Sequence, residues 1–458
     1  MLKSFTLKNF KSFKEATLHL TPTVTFLIGA NGSGKSNALE ALRFISWLGQ
    51  GQAFSYIEKT LAKKDSTIRG TMGDLYRKGT DLLSIGFSIE EYGRCYSLFD
   101  DIATSIFDGH EKVLPRFCVS SEKLYDINNK KELFNLDINN AEKDQIYTLK
   151  SGTKFRLEEA KYPDFYDRIN FLGKVAIQSL QKAMKIETET EIIPEMKKAK
   201  VIFIKCLSSI CFLDFRPAKM RDYVPQADKK QLEEDGSNLS EVLQNLCKDD
   251  DIKKKIINVI CSLPEQNIKD INFFETEDHD VRLSLIEQLA TGEQKISAKL
   301  LSDGTLRALA IATALYSAPK GSLLVIEEVD NGIHPSRIQH LVDKMYKIAA
   351  ERKIQILVTT HDPAMMDAIP QQEIGNVLCC YRDKEDGSSK IVRLSDSPQY
   401  MDFLFNGRLG NQVVSPIFEE NIKKTSEERK TEHEAWVEQY KKEQDEYHKA
   451  LKKALGEE

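Results

Sequence analysis

The chain has 458 residues, 41% of them hydrophobic and 29% charged, with a net charge of −5. Such a length supports a large core and two or three subdomains, and the acid excess excludes a surface that is basic all over. Eight cysteines show no C-x-x-C pair and no His/Cys metal spacing, which argues against a zinc site. Lysine clusters at Lys197, Lys198 and Lys200 and at Lys253, Lys254 and Lys255 read as solvated helix faces or as a local basic groove. The opening MLKSFTLKNF lacks an apolar signal stretch, and nowhere do 18 apolar residues run together. A cytoplasmic protein with no membrane span is expected.

Residues 23–29, TVTFLIG, alternate and are β-branched, while NALEALRFISWL (37–48) carries apolar residues at helical spacing. Between them GANGSGKS, Gly29 to Ser36, fits G-x-x-x-x-G-K-[ST] at every position. Average residue usage gives such a match in roughly one or two chains in a hundred of this length, and strand, glycine loop and helix is the setting the motif needs. Gly29, Gly32 and Gly34 let the backbone curl so that successive N–H groups face one anion. Ala30, Asn31, Ser33 and Asn37 belong to the same cradle, and the helix start adds its positive dipole end. Lys35 is suited to reach the β- and γ-phosphates, and the Ser36 hydroxyl to ligate Mg²⁺. ATP and Mg²⁺ are therefore the expected ligands.

DLLSIGFSIEEYGRCYSLFD (81–100) alternates like a strand pair around an EYGR turn. Residues 101–210 read as a largely helical insertion, mixed at first and helical from about Arg156, with the polar loops DINNKKE and NNAEKDQ inside it. No heptad run between 100 and 290 is long enough for a coiled-coil arm, and no internal repeat is present.

KLLSDGTLRALAIATALYSA puts Ser302, Asp303 and Gly304 at the start of an apolar helix, with Ser302 a natural N-cap. LLVI (323–326) reads as a buried parallel strand, and it delivers Glu327 and Glu328 at its end. Ionised carboxylates beside a core are costly unless a cation or a task holds them, although a strand that simply ends in solvent would also account for them. Successive strand residues face opposite ways, so the two should not share one role. With a phosphate loop in the same chain, Glu327 is assigned to the Mg²⁺ side and Glu328 to the attacking water. QILVTTHDP (355–363) is another buried strand, ending in Thr359, Thr360 and His361. The last forty residues are dense in Glu and Lys and place Trp436, Tyr440, Tyr447 and Leu451 on one helical face. That face suits a docking element or a helix packed on its own domain.

Phosphate loop, Ser-x-Gly signature, acidic strand end and Thr-His, in this order and spacing, resemble the ABC-type ATPases of the SMC, Rad50 and RecF group. The opening LKSFTLKNFKSF is similar to that group's first strand, and the likeness covers roughly residues 1–50 and 295–365. It implies an α/β P-loop nucleotide-binding domain with a mixed sheet, a helical insertion and a C-terminal helix. The expected division is 1–100 and 211–400 for the nucleotide-binding domain, 101–210 for the insertion and 401–458 for a helical tail. The likeness also implies an ATP-sandwich homodimer, with the possibility of larger assemblies built from dimers. Lys35, Ser36, Glu327 and Glu328 of one subunit would face Ser302 and Gly304 of the other, and His361 would contact the γ-phosphate.

This chain has Asp303 where the transporter branch has glycine, Glu327 where most members have aspartate, and no identifiable glutamine for coupling Mg²⁺ to the rest of the protein. FLDFRPAKMRDY and EDGSNLSEVLQNL resemble segments of stand-alone ATPases related to the OLD nucleases. The 97 residues after His361 read as too few for the nuclease domain of OLD proteins. The expected function is thus the ATPase subunit of a bacterial phage-defence complex, similar to that of Septu and less closely to that of PARIS. Its nuclease would be supplied in trans, with an HNH type favoured, and DNA is a further candidate partner. The alternatives are a RecF-like DNA-repair clamp and a slow nucleotide-sensing scaffold.

Overall fold

The computed structural model describes residues 1–63, 66–91, 94–105, 116–137, 146–148, 154–156, 192–261, 267–290, 292–397, 400 and 408–413. The chain opens with β1 (Leu2–Phe10), β2 (Phe13–His19) and β3 (Val24–Ile28), then α1 (Lys35–Gly49) and α2 (Phe54–Leu61). An antiparallel run follows in β4 (Leu82–Glu91), β5 (Arg94–Ser105), β6 (Arg116–Asp126) and β7 (Lys131–Asp137). Next come a small pair, β8 (Ile146–Thr148) and β9 (Lys154–Arg156), then α3 (Ile192–Ser208) and β10 (Ile210–Leu213).

A smaller lobe is built from β11 (Val224–Pro225), α4 (Leu239–Leu246), α5 (Asp250–Cys261), β12 (Ile268–Glu275), β13 (Asp280–Leu289) and β14 (Gly292–Ser297). The chain then returns through α6 (Asp303–Ser317), β15 (Leu323–Ile326), α7 (Pro335–Arg352), β16 (Gln355–Thr360) and α8 (Pro363–Asp367). β17 (Leu378–Arg382), β18 (Ser389–Arg393) and the short α9 (Leu409–Val413) follow.

Twelve strands form one mixed sheet in the order β10-β15-β16-β3-β17-β18-β2-β1-β4-β5-β6-β7. From β10 to β17 neighbours run parallel. From β1 outward to β7 they run antiparallel. The parallel strands are short and mainly apolar because both faces are covered. Their side chains alternate between two cores. Leu27, Leu323, Val325 and Leu357 join the core formed with α1, α2 and α3. Phe26, Leu324, Ile326 and Val358 join the core formed with α4 to α8. At the rear of the sheet the buried Gln355 side chain accepts from Leu2 N and donates to Leu2 O and Thr21 O, at 2.9, 2.9 and 2.8 Å. One amide thereby ties the first strand to β16.

Of the region 101–210, the described residues up to 156 are strands and a turn, and those from 192 are mostly helix. A boundary at residue 100 falls inside β5, and β6 and β7 extend the main sheet. The polar stretch DINNKKE is the turn of a hairpin. The Asp126 carboxylate accepts from Asn129 N at 3.2 Å and from Asn129 Nδ2 at 2.8 Å, and Lys130 takes φ 50°. Asx-type turn chemistry accounts for the polarity that reads as an inserted loop in the sequence. Helix is present over Ile192–Ser208. Residues 157–191 and the tail residues Trp436, Tyr440, Tyr447 and Leu451 lie outside the described residues. Among the described residues no helix is long and apolar enough to cross a membrane.

Candidate functional site

β3 is fully buried and stops at Ile28, and Gly29, Gly32 and Gly34 then adopt φ of 147°, 76° and 122°. These are conformations that L side chains rarely take. Two of the glycines are also required by close packing. A Cβ on Gly29 would collide with the Cys380 carbonyl oxygen, and one on Gly34 with the Ser389 hydroxyl. The loop is therefore braced from behind by β17 and β18. Ser389 Oγ donates to Ser33 O at 2.5 Å and lies 2.8 Å from Ser12 Oγ, which accepts from Asn37 Nδ2 at 2.7 Å. Arg382 Nε donates to Gly32 O at 3.0 Å. None of these braces is visible in the phosphate-loop motif itself.

Lys35 folds back over the loop, and its ammonium donates to Gly29 O at 2.6 Å and Ala30 O at 3.1 Å. Burial lowers its pKa, and the fields of Glu328 and Asp330 oppose that shift. Among the described residues the buried Ser33 Oγ has no hydrogen-bond partner, which leaves the cradle a donor of the kind a phosphate oxygen can accept.

β3, β16 and β15 are parallel neighbours, so their C-terminal ends reach one edge of the sheet. That edge is where ligands bind in open α/β sheets. Glu327 continues β15, its N–H donating to Leu213 O at 3.0 Å, and its side chain is half-buried. Burial raises its pKa to about 7; Arg43 opposes the rise, and Asp214, Glu234 and Glu40 add to it. Glu328 breaks the strand. It takes a left-handed φ of 44°, donates N–H to Thr359 Oγ1 at 3.0 Å, and exposes a carboxylate that accepts from Asn331 Nδ2 at 2.6 Å. The two glutamates are thus separated by a backbone turn as well as by the strand pleat.

His361 is exposed directly beyond β16. Behind it Asp330 is 7% exposed, with Oδ1 unpartnered among the described residues and a pKa raised by burial against a Thr360 hydrogen bond. The sequence reading did not single out Asp330.

Ser302 caps α6, its exposed side chain accepting from Thr305 N at 3.2 Å. Gly304 abuts the segment that follows the paired glutamates, where a Cβ would collide with Gly332 O. Ser302 and Gly304 are therefore tied to the sheet edge through residues 329–333, and the Ser302 hydroxyl serves its own helix start.

Further residues stand around α1. Glu40, 6% exposed, pairs with Lys11 and with Arg69 Nε at 2.6 Å, and Arg69 also donates to Asn37 Oδ1 at 3.0 Å. The strand end beside Glu327 continues into Asp214 and offers no glutamine. Among the described residues no group of three or more His, Cys, Asp and Glu could hold a metal. Mg²⁺ does not need such a cage, since it usually binds one or two protein oxygens and fills its octahedron with phosphates and water. Ser36 and Glu327 fit that pattern.

The chain is similar to known proteins over most of its length. The chain is 23% identical to an ATP/GTP phosphatase of Helicobacter pylori (strain ATCC 700392 / 26695) over 389 residues, covering 81% of this chain and 88% of that one. It is 20% identical to the Retron Ec83 probable ATPase of Escherichia coli over 401 residues, covering 80% of this chain and 70% of that one. Among solved structures, an SMC head bound to the C-terminal winged-helix domain of ScpA aligns over 85% of this chain and 97% of that chain, at 14% identity and a TM-score of 0.47. Residues 1–366 match the AAA ATPase domain family AAA_15. A match over so much of the chain, with a braced phosphate loop and an acidic strand end at one sheet edge, makes this protein an ATP-hydrolysing member of the AAA_15 family of AAA ATPase domains.

Proposed function

We propose that the protein is the ATPase subunit of a bacterial antiviral defence complex, acting in the cytoplasm and controlling a nuclease supplied in trans, with an HNH type favoured. The observation that carries the catalytic part is the shared edge of β3, β15 and β16, which gathers Gly29–Ser36, Glu327, Glu328 and His361. Similarity to a retron ATPase over 80% of the chain supports the defence part.

In this reading the backbone N–H groups of residues 30–36 and the Lys35 ammonium bind the phosphates of ATP. Ser36 and Glu327 would hold Mg²⁺, which would supply positive charge to the phosphates when bound. Glu328 stands clear of the core with Asn331 fixing one oxygen, leaving the other to orient the attacking water and receive its proton. His361 reaches the γ-phosphate from the end of β16. Ser302 and Gly304 complete the site of a second subunit in an ATP-sandwich dimer.

A RecF-like DNA clamp and a slow nucleotide sensor are the competing readings. Phage plaquing on cells that carry this gene with its neighbours separates them. Protection that is lost with Glu328→Gln and with deletion of an adjacent nuclease gene supports defence. Plaquing unaffected by the wild-type locus, together with salt-dependent DNA binding by the purified protein, supports the clamp.

A further inference from the structure

Ser36, Glu40 and Arg43 are spaced i, i+4 and i+7 on α1 and share one of its faces. Arg43 is 8% exposed. Its two terminal nitrogens donate to the two Glu234 oxygens, each at 2.7 Å, and its guanidinium lies 4.1 Å over the Phe212 ring. A bidentate pair stacked in this way is rigid in direction as well as strong. Glu234 lies on the loop between β11 and α4, so the pair joins the phosphate-loop helix to the smaller lobe.

The connection continues past Glu234. Asp214 N donates to Glu234 O at 2.8 Å and Arg216 N to Asp235 O at 3.0 Å, which fastens the segment after β10 to the same loop. The Asp235 carboxylate accepts from Lys219 at 2.6 Å. Lys219 and Arg221 occupy one 3₁₀ turn, Pro217–Arg221. Arg221 donates to Leu301 O at 2.7 Å and to Asp303 Oδ1 at 2.8 Å, the residues on either side of Ser302. Polar contacts, joined by the Glu234–Asp235 peptide and the Pro217–Arg221 turn, therefore lead from the face of α1 to the cap of α6.

We infer that Arg43 and Glu234 are positioning residues that couple the phosphate-loop helix to Ser302 through the Pro217–Arg221 turn. This inference rests on the proposed role of Ser302 in hydrolysis. The helix starts at the phosphate cradle, and Arg43 sits about 12 Å along it from Lys35 at 1.5 Å per residue. A small shift of α1 as phosphate settles on its N-terminus must either carry Glu234 with it or break two short, partly buried hydrogen bonds. The Lys219 and Arg221 pairs are partly exposed, and each alone is weak. Their contribution is direction: Arg221 holds both flanks of Ser302 at once.

The test uses the full-length protein with Arg43→Gln, Glu234→Gln, the double variant and Arg43→Lys. ATP affinity, kcat and hydrogen exchange of residues 299–305 with and without Mg-ATP are measured for each. The inference expects ATP affinity within about threefold of wild type, kcat lowered about tenfold, and loss of the ATP-induced protection around Ser302. The double variant should be no slower than the slower single, because residues acting as one unit are non-additive. Arg43→Lys keeps the charge without the fork and should fall between wild type and Arg43→Gln.

Unchanged kcat, additive single effects, or an affinity loss that matches the kcat loss would each overturn the coupling. Should Arg43→Gln fail to fold, Glu234→Gln and Arg43→Lys carry the same comparison. Ser302→Arg is the control for the underlying reading. If it turns over ATP like wild type, the role given to Ser302 is wrong; if it is inactive while the Arg43 and Glu234 variants are not, the coupling alone is wrong.

Discussion

The phosphate loop and the signature segment are built to different degrees of completeness. The loop is braced from several directions: by β17 behind Gly29, by Ser389 behind Gly34, and by Arg382 on Gly32 O. An anion entering it meets backbone already in place. At Ser302 the hydroxyl caps its own helix, the side chain is exposed, and the preceding Leu300 is 78% exposed. One element is a finished half-site; the other presents an exposed residue that, in the proposed two-fold dimer, would serve the neighbouring subunit's site.

The sharpest way to break this comparison is at Glu328. Replacing it with Gln retains the Asn331 contact and the left-handed turn but removes the proton acceptor. Hydrolysis should fall about a thousandfold, within the range for a lost general base, while ATP affinity stays within a fewfold. Steady-state turnover together with calorimetric binding checks both. Wild-type turnover would mean that the exposed carboxylate is only a strand end.

Lys35→Ala attacks the finished half-site directly. The cradle loses the ammonium that now bonds to Gly29 O and Ala30 O, and the phosphate charge loses its cation. ATP affinity should drop about a hundredfold, or ~2.8 kcal/mol. Equal affinity in calorimetry would remove the phosphate-loop assignment.

A smaller effect tests whether the signature serves a neighbour. Chains carrying Lys35→Ala and chains carrying Ser302→Arg should each be inactive alone. After subunit exchange, about a quarter of the sites should recover, because half the dimers are mixed and each mixed dimer has one intact site. Complete silence after demonstrated exchange would indicate sites contained in single chains.

How much of this is legible in the sequence depends on the range of the interactions. GANGSGKS, LLVIEE and LVTTH are local patterns: an apolar run long enough for one strand, followed at once by the polar residues that its end presents. The parallel pairing of those strands then follows from their apolar character on both faces. The braces are different. Ser389 meets Ser33, Arg43 meets Glu234, and Gln355 meets Leu2 across separations of 356, 191 and 353 residues. No spacing rule links such pairs, and each residue taken singly looks like an ordinary polar residue. The β6–β7 hairpin is the converse case: its pairing is between chain neighbours, and the polar, Asn-rich turn at 127–130 masks it in the sequence. Gly304, already marked in the sequence, sits where an apolar helix begins, but the backbone neighbour that its missing side chain admits, Gly332 O, is marked by no local pattern.

The smallest expected effect is on stability, and it arises from the finished half-site. Glu327 is held beside a core, where burial raises its pKa to about 7 from an ordinary 4.5; Arg43 opposes the rise, while Asp214, Glu234 and Glu40 add to it. Between those two values the folded protein keeps a proton that the unfolded chain has released. Stability therefore falls as pH rises through this window and stays lowered above about pH 7. Gln cannot ionise, so Glu327→Gln escapes the loss. Without nucleotide its Tm should exceed that of wild type by about 2–4 °C at pH 8, and the difference should vanish near pH 4.5. Adding Mg-ATP should reverse the order at pH 8, because a divalent cation stabilises the ionised carboxylate and gains little from the amide. Thermal unfolding at the two pH values, with and without Mg-ATP, reads out all four states. A wild-type protein at least as stable as the variant at pH 8 without ligand would show that Glu327 is comfortably solvated and that its position beside the core has no energetic cost.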